Sequence, residues 1–430
     1  MKWSIFIFKF NKGNNILLFN TYNKATVLLE YNEYIKIEQY LIDNNLDVNK
    51  EYIEYLKKLG FLIDIKYDEK DNFLKELHNT VDRKKKFNII ILTTMDCNFK
   101  CSYCYERGIS KNKYFTNEYI EKIIITLKHC IELDIIEIIE LTLFGGEPTL
   151  NWGFTTNLLK EIQKFCNNNG ILFLIDMITN GYLLDIDKIN TLSKYNIDNI
   201  QITLDGKKEI HDNRRMLLNG DKTFDKIVNN IKNILMSDIP KITIRINYDK
   251  SNAYNIVEFI EYLEKEFYNY KNRIKLSFGI IDSNLKYDNK EELISYREDL
   301  EKYYLEFYNK VAKSGFKYSK YFETGSVCMA KRNNSIIISP DNNIYKCLSL
   351  VGTEVGKIDD FKMEVDNKKN YLNTNLYEEC FNRECEFIPM CHTGCRFKSF
   401  INDNRLDTKN CEYEAILKIN TRIIESMYKL

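Results

Sequence analysis

Apolar residues along the chain follow two different periods, and the change of period divides it into three regions. Up to about residue 85, short apolar runs at 4–10, 15–21 and 25–30 precede two stretches, 33–44 and 49–64, where apolar residues recur every three to four positions. Strands followed by helices predict a small α+β or winged-helix-like module over 1–85. The polar run 81–86 reads as a solvated linker. Over 87–285, apolar strands at 87–94, 138–146, 173–180, 199–205, 241–248 and 274–282 alternate with amphipathic helices at 117–133, 187–195, 223–237 and 255–267. That alternation predicts an α/β fold, a parallel sheet with helical crossovers. Six such units curl into a partial (β/α)6 barrel, whose ligands bind at the carboxyl ends of the strands. Residues 286–430 open with a charged helix, 289–315, and then lose regular periodicity. Such a region needs another source of stability, and metal clusters supply it.

Composition narrows the classes. A chain of 430 residues predicts two or three domains. Lys+Arg and Asp+Glu are both 62, so neither nucleic acid nor an anionic membrane is expected as partner. No stretch reaches the length of a membrane-spanning apolar helix, and the N-terminus lacks the long apolar core and cleavage site of a signal peptide. A cytoplasmic location is therefore expected. In a reducing compartment, clustered cysteines bind metal more often than they form disulfides. Ten of the twelve cysteines fall in two spaced groups. Cys130 and Cys166 stand alone on helical patterns and read as buried small hydrophobes.

The first group, Cys97-x3-Cys101-x2-Cys104, directly follows the first strand of the barrel region. Thiolates suit iron–sulfur clusters. Three ligands leave one iron of a [4Fe–4S] cluster open to bind a small molecule. Structural zinc closes with four ligands, and no fourth Cys or His lies nearby.

This spacing, with the aromatic Tyr103 before the last cysteine, resembles the signature of the radical SAM superfamily. The resemblance implies that the open iron chelates the amino and carboxylate groups of S-adenosylmethionine. Reductive cleavage then releases methionine and a 5′-deoxyadenosyl radical, chemistry carried by the cofactor. Further motifs at strand ends agree. Gly145, Gly146, Glu147 and Pro148 resemble the family's GGEP motif, which contacts the methionine amino group, and glycines there permit close backbone approach. Thr179, Asn180 and Gly181 resemble its TNG motif. Asp205 and Gly206, then His211, Asp212, Arg214 and Arg215, with Gly220, Thr223 and Phe224, look like the pattern near substrate and cofactor. Asp205 and Arg214 are positional candidates for catalysis. Arg245, in the fifth strand with Asn247, is either a partner of the cofactor carboxylate or one half of a structural ion pair.

The second group, Cys328, Cys347, Cys380, Cys385, Cys391, Cys395 and Cys411, resembles a SPASM domain holding two auxiliary [4Fe–4S] clusters, three clusters in all. The spacing Cys385-x5-Cys391-x3-Cys395 fits, and Asn342 takes the place of a glycine before Cys347, which Asn tolerates in left-handed geometry. Cys380-x4-Cys385 departs from the usual x2. The family's connectivity implies one cluster on Cys380, Cys385, Cys391 and Cys411. It places the other on Cys328, Cys347 and Cys395, with an open iron that a substrate thiolate or a non-cysteine group would fill. His392 reads as a helper or solvent-exposed residue rather than a ligand.

SPASM enzymes act mostly on peptides and proteins. Residues 1–85 resemble the leader-binding modules of maturases of ribosomally made, modified peptides, which take up a peptide as an added strand. The implied activity is thioether crosslinking in a precursor peptide, leader plus core, with a ferredoxin or flavodoxin as electron donor. Formylglycine formation in a sulfatase, or another peptide crosslink or epimerisation, are enzymatic alternatives. A non-catalytic iron–sulfur carrier or peptide-binding protein would need no S-adenosylmethionine pocket.

Overall fold

The computed structural model describes residues 1–82, 85–104, 112–133, 135–281, 300–318, 327–360 and 371–428. The middle of the polar run 81–86, the first part of the charged helix at 289–299, and Asp282 lie outside these. The chain packs into two compact units that interleave in sequence: 1–80 with 320–328 and 372–430, and 81–319 with 329–371.

In the first unit, strand β1 (Lys2–Trp3) is followed by β2 (Ile7–Lys12), β3 (Asn15–Asn20) and β4 (Thr26–Glu30). The last three form an antiparallel sheet in that order, and β1 pairs with β5 (Leu62–Ile63). A two-residue turn joins β2 to β3, with Gly13 at φ +57°, as tight hairpins require. Helices α1 (Tyr31–Ile42), α2 (Lys50–Lys58) and α3 (Glu69–Asp82) follow. The Asn49 side chain caps α2, accepting from the amides of Glu51 and Tyr52. One sheet face buries Ile16, Leu18 and Leu29 against Tyr34, Ile37, Ile53 and Leu56. The other buries Phe8, Leu17 and Phe19 against Phe387, Ile416 and Ile424. Burial on both faces accounts for the unbroken apolar run of β3 and for the joining of N- and C-terminal segments.

The second unit holds a ten-stranded sheet. Its parallel centre is β6 (Lys86–Leu92), β7 (Ile138–Phe144), β8 (Leu172–Thr179), β9 (Ile197–Thr203), β10 (Ile242–Tyr248) and β11 (Ile274–Ile280), neighbours in chain order. The crossovers carry α4 (Glu118–Leu133), α5 (Trp152–Asn169), α6 (Ile186–Leu192), α7 (Lys208–Arg214), α8 (Phe224–Met236), α9 (Lys250–Ala253) and α10 (Ile256–Glu266). Crossovers of one hand between successive neighbours set the helices on one face. The strands show it: β7 and β8 alternate fully buried with half-buried residues, the buried set lying under helices and the other set facing the lumen. After α11 (Leu300–Ser314), β12 (Lys317–Tyr318) extends the β11 edge. At the opposite edge β13 (Ser335–Ser339) pairs parallel with β6, followed by antiparallel β14 (Asn343–Tyr345) and β15 (Lys357–Asp360). This α/β arrangement agrees with the expected partial barrel. Among the described residues no helix is long and apolar enough to cross a membrane.

Candidate functional site

The Cys97–Cys104 loop leaves the carboxyl end of β6 and enters a cavity of about 420 Å3. All three thiols line it, together with Tyr103, Gly145, Gly146, Thr179, Asn180, Arg215, Arg245 and Asn247. Phe99, Phe144, Ile178, Ile280 and Ile281 supply an apolar wall. The sequence-predicted triad and strand-end motifs therefore meet at one place, the carboxyl ends of β6 to β10. Burial pushes the Cys97 thiol up to about 12 and also raises that of Cys101. The Asn180 amide points at Cys97 Sγ from 3.8 Å. Among the described residues no three His, Cys, Asp or Glu side chains converge as on a single ion. Three thiols spread around one cavity suit a four-iron cube, whose ligands sit on separate irons.

The glycines at 145 and 146 are required by their neighbours. A Cβ on Gly145 would stand 2.2 Å from the Thr94 carbonyl oxygen, and one on Gly146 2.2 Å from that of Asp96. Gly146 N and Glu147 N donate to those same oxygens at 3.0 and 2.8 Å. The GGEP turn is thus laced to the backbone that begins the cysteine loop. We expect Gly146→Ala to destabilise the protein by about 1–3 kcal/mol and to lower iron retention at the triad. Gly153→Ala, at a helical position with open space around it, should do neither. Equal iron content and equal unfolding midpoints in both variants would contradict this.

Glu147 is fully buried and lies outside the cavity lining. Its carboxylate accepts from Thr149 N at 3.0 Å, Thr179 Oγ1 at 2.7 Å, Asn180 N at 2.7 Å and the Thr149 hydroxyl. Burial raises its pKa and these donors oppose the rise. In this arrangement Glu147 fixes the Thr179–Asn180 turn, and Pro148 starts the helical turn after it.

Tyr103 sits at the hub of a buried polar network. It donates to Asp205 Oδ2, and accepts from Arg215 Nη1 at 2.6 Å and Asn247 Nδ2 at 3.2 Å. The Arg214 guanidinium lies 5.1 Å from its ring centroid. Asp205 also accepts from Asn247 N at 3.0 Å, while its own amide donates to His211 Nδ1 at 3.3 Å. Burial and the adjacent arginines hold His211 neutral, its pKa well below the ordinary value. Asp212 accepts from the amides of Thr223 and Phe224, both at 2.9 Å, at the start of α8. Neither catalytic candidate reaches the cavity: Asp205 is fully buried behind Tyr103, and Arg214 donates to both Asp249 oxygens at 3.0 Å. Arg215 is the member of the HDNRR run that faces the thiols, and sequence reasoning named it without assigning it a role. Asn247 was legible by period, two residues beyond Arg245 on the same strand face. Leu348 and Ser349 also line the cavity, directly after Cys347, and no local pattern announced them.

The structural ion pair considered for Arg245 is not formed among the described residues. Its Nε donates to Asn247 Oδ1 at 3.0 Å and Nη1 to Ser277 Oγ at 3.1 Å, both neutral groups.

The remaining cysteines belong to both units. Cys347 lies in the barrel unit, and Cys328, Cys380, Cys385, Cys391, Cys395 and Cys411 in the other. Helices α12 (Thr374–Phe381), α13 (Ile388–Cys391), α14 (Arg396–Asp403) and α15 (Tyr413–Tyr428) frame the latter six. Cys380 feels the charge of Cys411, and Cys385 that of Cys380 and Cys391, so these four thiols lie near one another. The long Cys380-x4-Cys385 spacing closes on itself, with Cys385 N donating to Cys380 O at 3.2 Å. Asn342 takes φ +63°, the left-handed geometry expected of it. His392 is half-buried and its Nδ1 lies 3.4 Å from Tyr377 Oη. None of the twelve cysteines forms a disulfide, and Cys130 and Cys166 are buried.

Known proteins supply an independent view. The family described as "Radical SAM superfamily" matches residues 91–263. A cysteine-type anaerobic sulfatase-maturating enzyme of Clostridium novyi (strain NT) is 25% identical over 336 residues, 72% of this chain and 89% of that protein. The structure of native anSMEcpe with bound AdoMet and Cp18Cys peptide superposes with TM-score 0.63 at 18% identity, covering 80% of this chain and 98% of that one. Streptococcus suis SuiB bound to precursor peptide SuiA superposes with TM-score 0.55 at 15% identity, covering 96% and 99%.

Proposed function

We propose that this chain, a radical SAM enzyme, modifies a ribosomal precursor peptide, closing a thioether between a cysteine and a carbon of the same peptide. The observation that carries this reading is the N-terminal module. The fold of the precursor-bound maturase runs through 96% of the chain, that of the sulfatase-maturating enzyme through 80%. In this reading the module is the winged-helix-like leader binder, supported by a β4 that among the described residues pairs only with β3, an edge that suits an added strand. A leader peptide bound there would tether its core to the enzyme.

S-adenosylmethionine on a [4Fe–4S] cluster supplies, when bound, a reductive cleavage that yields a 5′-deoxyadenosyl radical and methionine. Cys97, Cys101 and Cys104 are the ligands for that cluster in this reading. Gly145, Gly146, Thr179 and Asn180 shape the adjoining cavity wall, and Glu147 locks the turn that presents Thr179 and Asn180. Arg215 offers a guanidinium to the cofactor carboxylate. Tyr103 ties the third-cysteine loop to β9 and β10 through Asp205 and Asn247. The apolar wall excludes water from a reactive site. Two auxiliary clusters are assigned to Cys380, Cys385, Cys391 and Cys411, and to Cys328, Cys347 and Cys395. A ferredoxin or flavodoxin would be the electron donor.

Sequence likeness to sulfatase-maturating enzymes favours one second reading, conversion of a sulfatase cysteine to formylglycine. Mass spectrometry of a co-expressed cysteine-containing precursor separates the two. Thioether closure removes two hydrogens, retains sulfur and leaves the cysteine resistant to alkylation; formylglycine formation loses the sulfur. A precursor cysteine that stays freely alkylatable while another residue changes would sink the thioether assignment.

A further inference from the structure

The cavity beside the triad is lined by two guanidiniums, Arg215 and Arg245, and by no carboxylate among the described residues. The two cations differ in surroundings. Arg215 lines the cavity with the three thiols, interacts electrostatically with Cys101 and Cys97, and is bonded to Tyr103. Arg245 comes from β10, and its two hydrogen bonds go to neutral side chains. The charges acting on it are Tyr103, Asp205 and Tyr248, with no cysteine, and burial lowers its pKa. Among the described residues no carboxylate is within salt-bridge distance of it. The neighbouring strand makes room for it: a Cβ on Gly279 would stand 1.8 Å from Arg245 Nη2. Glycine inside a strand weakens it and often marks a close approach of this kind.

Among the described residues Arg245 feels Asp205 only from beyond salt-bridge distance, and a buried cation with no directly paired anion is unfavourable unless something supplies one. The cofactor has a single carboxylate, at the end that chelates iron, and Arg215 is the guanidinium beside the iron ligands. Arg245 is then left facing the rest of the cavity. We infer that Arg245 binds a carboxylate of the peptide substrate, so that the enzyme selects an acidic group next to the residue it modifies. Gln201, Thr203 and Asn247 around it are neutral hydrogen-bonding groups, suited to the adjoining peptide amides. The inference rests on the peptide-substrate reading.

The test uses the full-length, cluster-loaded protein with S-adenosylmethionine and three capped probes: acetyl-Ala-Asp-Ala-amide, its Asn counterpart, and acetyl-Ala-Ala-Ala with a free C-terminal carboxylate. Calorimetric titration should show at least one acidic probe binding about tenfold or more tighter than the Asn amide. Which acidic probe is preferred tells a side-chain from a C-terminal carboxylate. Arg245→Gln should erase the preference and Arg245→Lys retain part of it. Gly279→Ala, which keeps the charge but displaces the guanidinium, should also erase it. Cofactor affinity of Arg245→Gln, from equilibrium dialysis, should stay within about threefold of wild type, well inside the loss expected of a broken charged hydrogen bond. Absence of any preference for an acidic probe, or a tenfold loss of cofactor affinity in Arg245→Gln with the preference intact, would overturn the assignment. Failure of the peptide-maturase reading would show instead as no modification of any precursor, with the binding preference still measurable.

Discussion

Cys97→Ala, Cys101→Ala and Cys104→Ala should each reduce 5′-deoxyadenosine formation to background. The three thiols line one cavity at the end of β6, and among the described residues no fourth thiol or imidazole lines it to take over a lost ligand. A cluster held by two protein ligands is poorly retained, and without the iron there is nothing to bind and reduce the cofactor. Iron content should fall without vanishing, because the auxiliary cysteines are untouched. Cys166→Ala is the matched control: Cys166 is a fully buried residue of α5, and its loss removes one small core group. It should retain iron and nucleoside formation. Wild-type 5′-deoxyadenosine yield from any of the triad variants would remove the basis for assigning the cluster there.

The grouping of the three thiols at one cavity was legible in the sequence because they share one short loop. The barrel strands were legible for a related reason: β7, β8 and β10 pair a face under helices with a lumen face, and period-2 alternation records that directly. Features that depend on contacts distant in sequence were not legible. Residues 335–339 lie in a segment read as loop-rich, yet all five are buried and 335–338 pair with β6. Five residues are too few for a period to declare itself, and their partner lies about 250 positions earlier. Glu147 matches its motif, but only the fold shows four donors closing on its carboxylate. The choice between Arg214 and Arg215 is of the same kind. They are adjacent, and what separates them is Asp249, from another strand end, which takes one and leaves the other to the cavity.

That choice makes Asp249 a residue whose loss should cost the fold heavily. Its carboxylate is fully buried, and Arg214 is nearly so. Nη1 of Arg214 bonds both Asp249 oxygens and Ser251 Oγ at 2.7 Å, while Nε and Nη2 are buried with no hydrogen-bond partner among the described residues. The other nearby carboxylate, Asp205, is 3.9 Å from Nε and already engaged by Tyr103 and Asn247. Asp249→Ala therefore strands a guanidinium that has almost no other acceptor. Breaking a buried pair from one side costs about 3–5 kcal/mol. The side chain also caps α9, accepting from Ser251 N at 2.9 Å, which adds to the loss. Thermal unfolding of the metal-free protein is the appropriate measurement, since it removes cluster loading from the comparison. At roughly 2–4 °C per kcal/mol for a unit of this size, the midpoint should fall by about ten degrees. Asp249→Asn keeps an acceptor for the cap and for Nη1 and loses only the charge, so it should fall between. A midpoint for Asp249→Ala within about a degree of wild type would mean that Arg214 finds another counter-charge. The division between the two arginines, one paired with Asp249 and one lining the cavity, would then have to be redrawn.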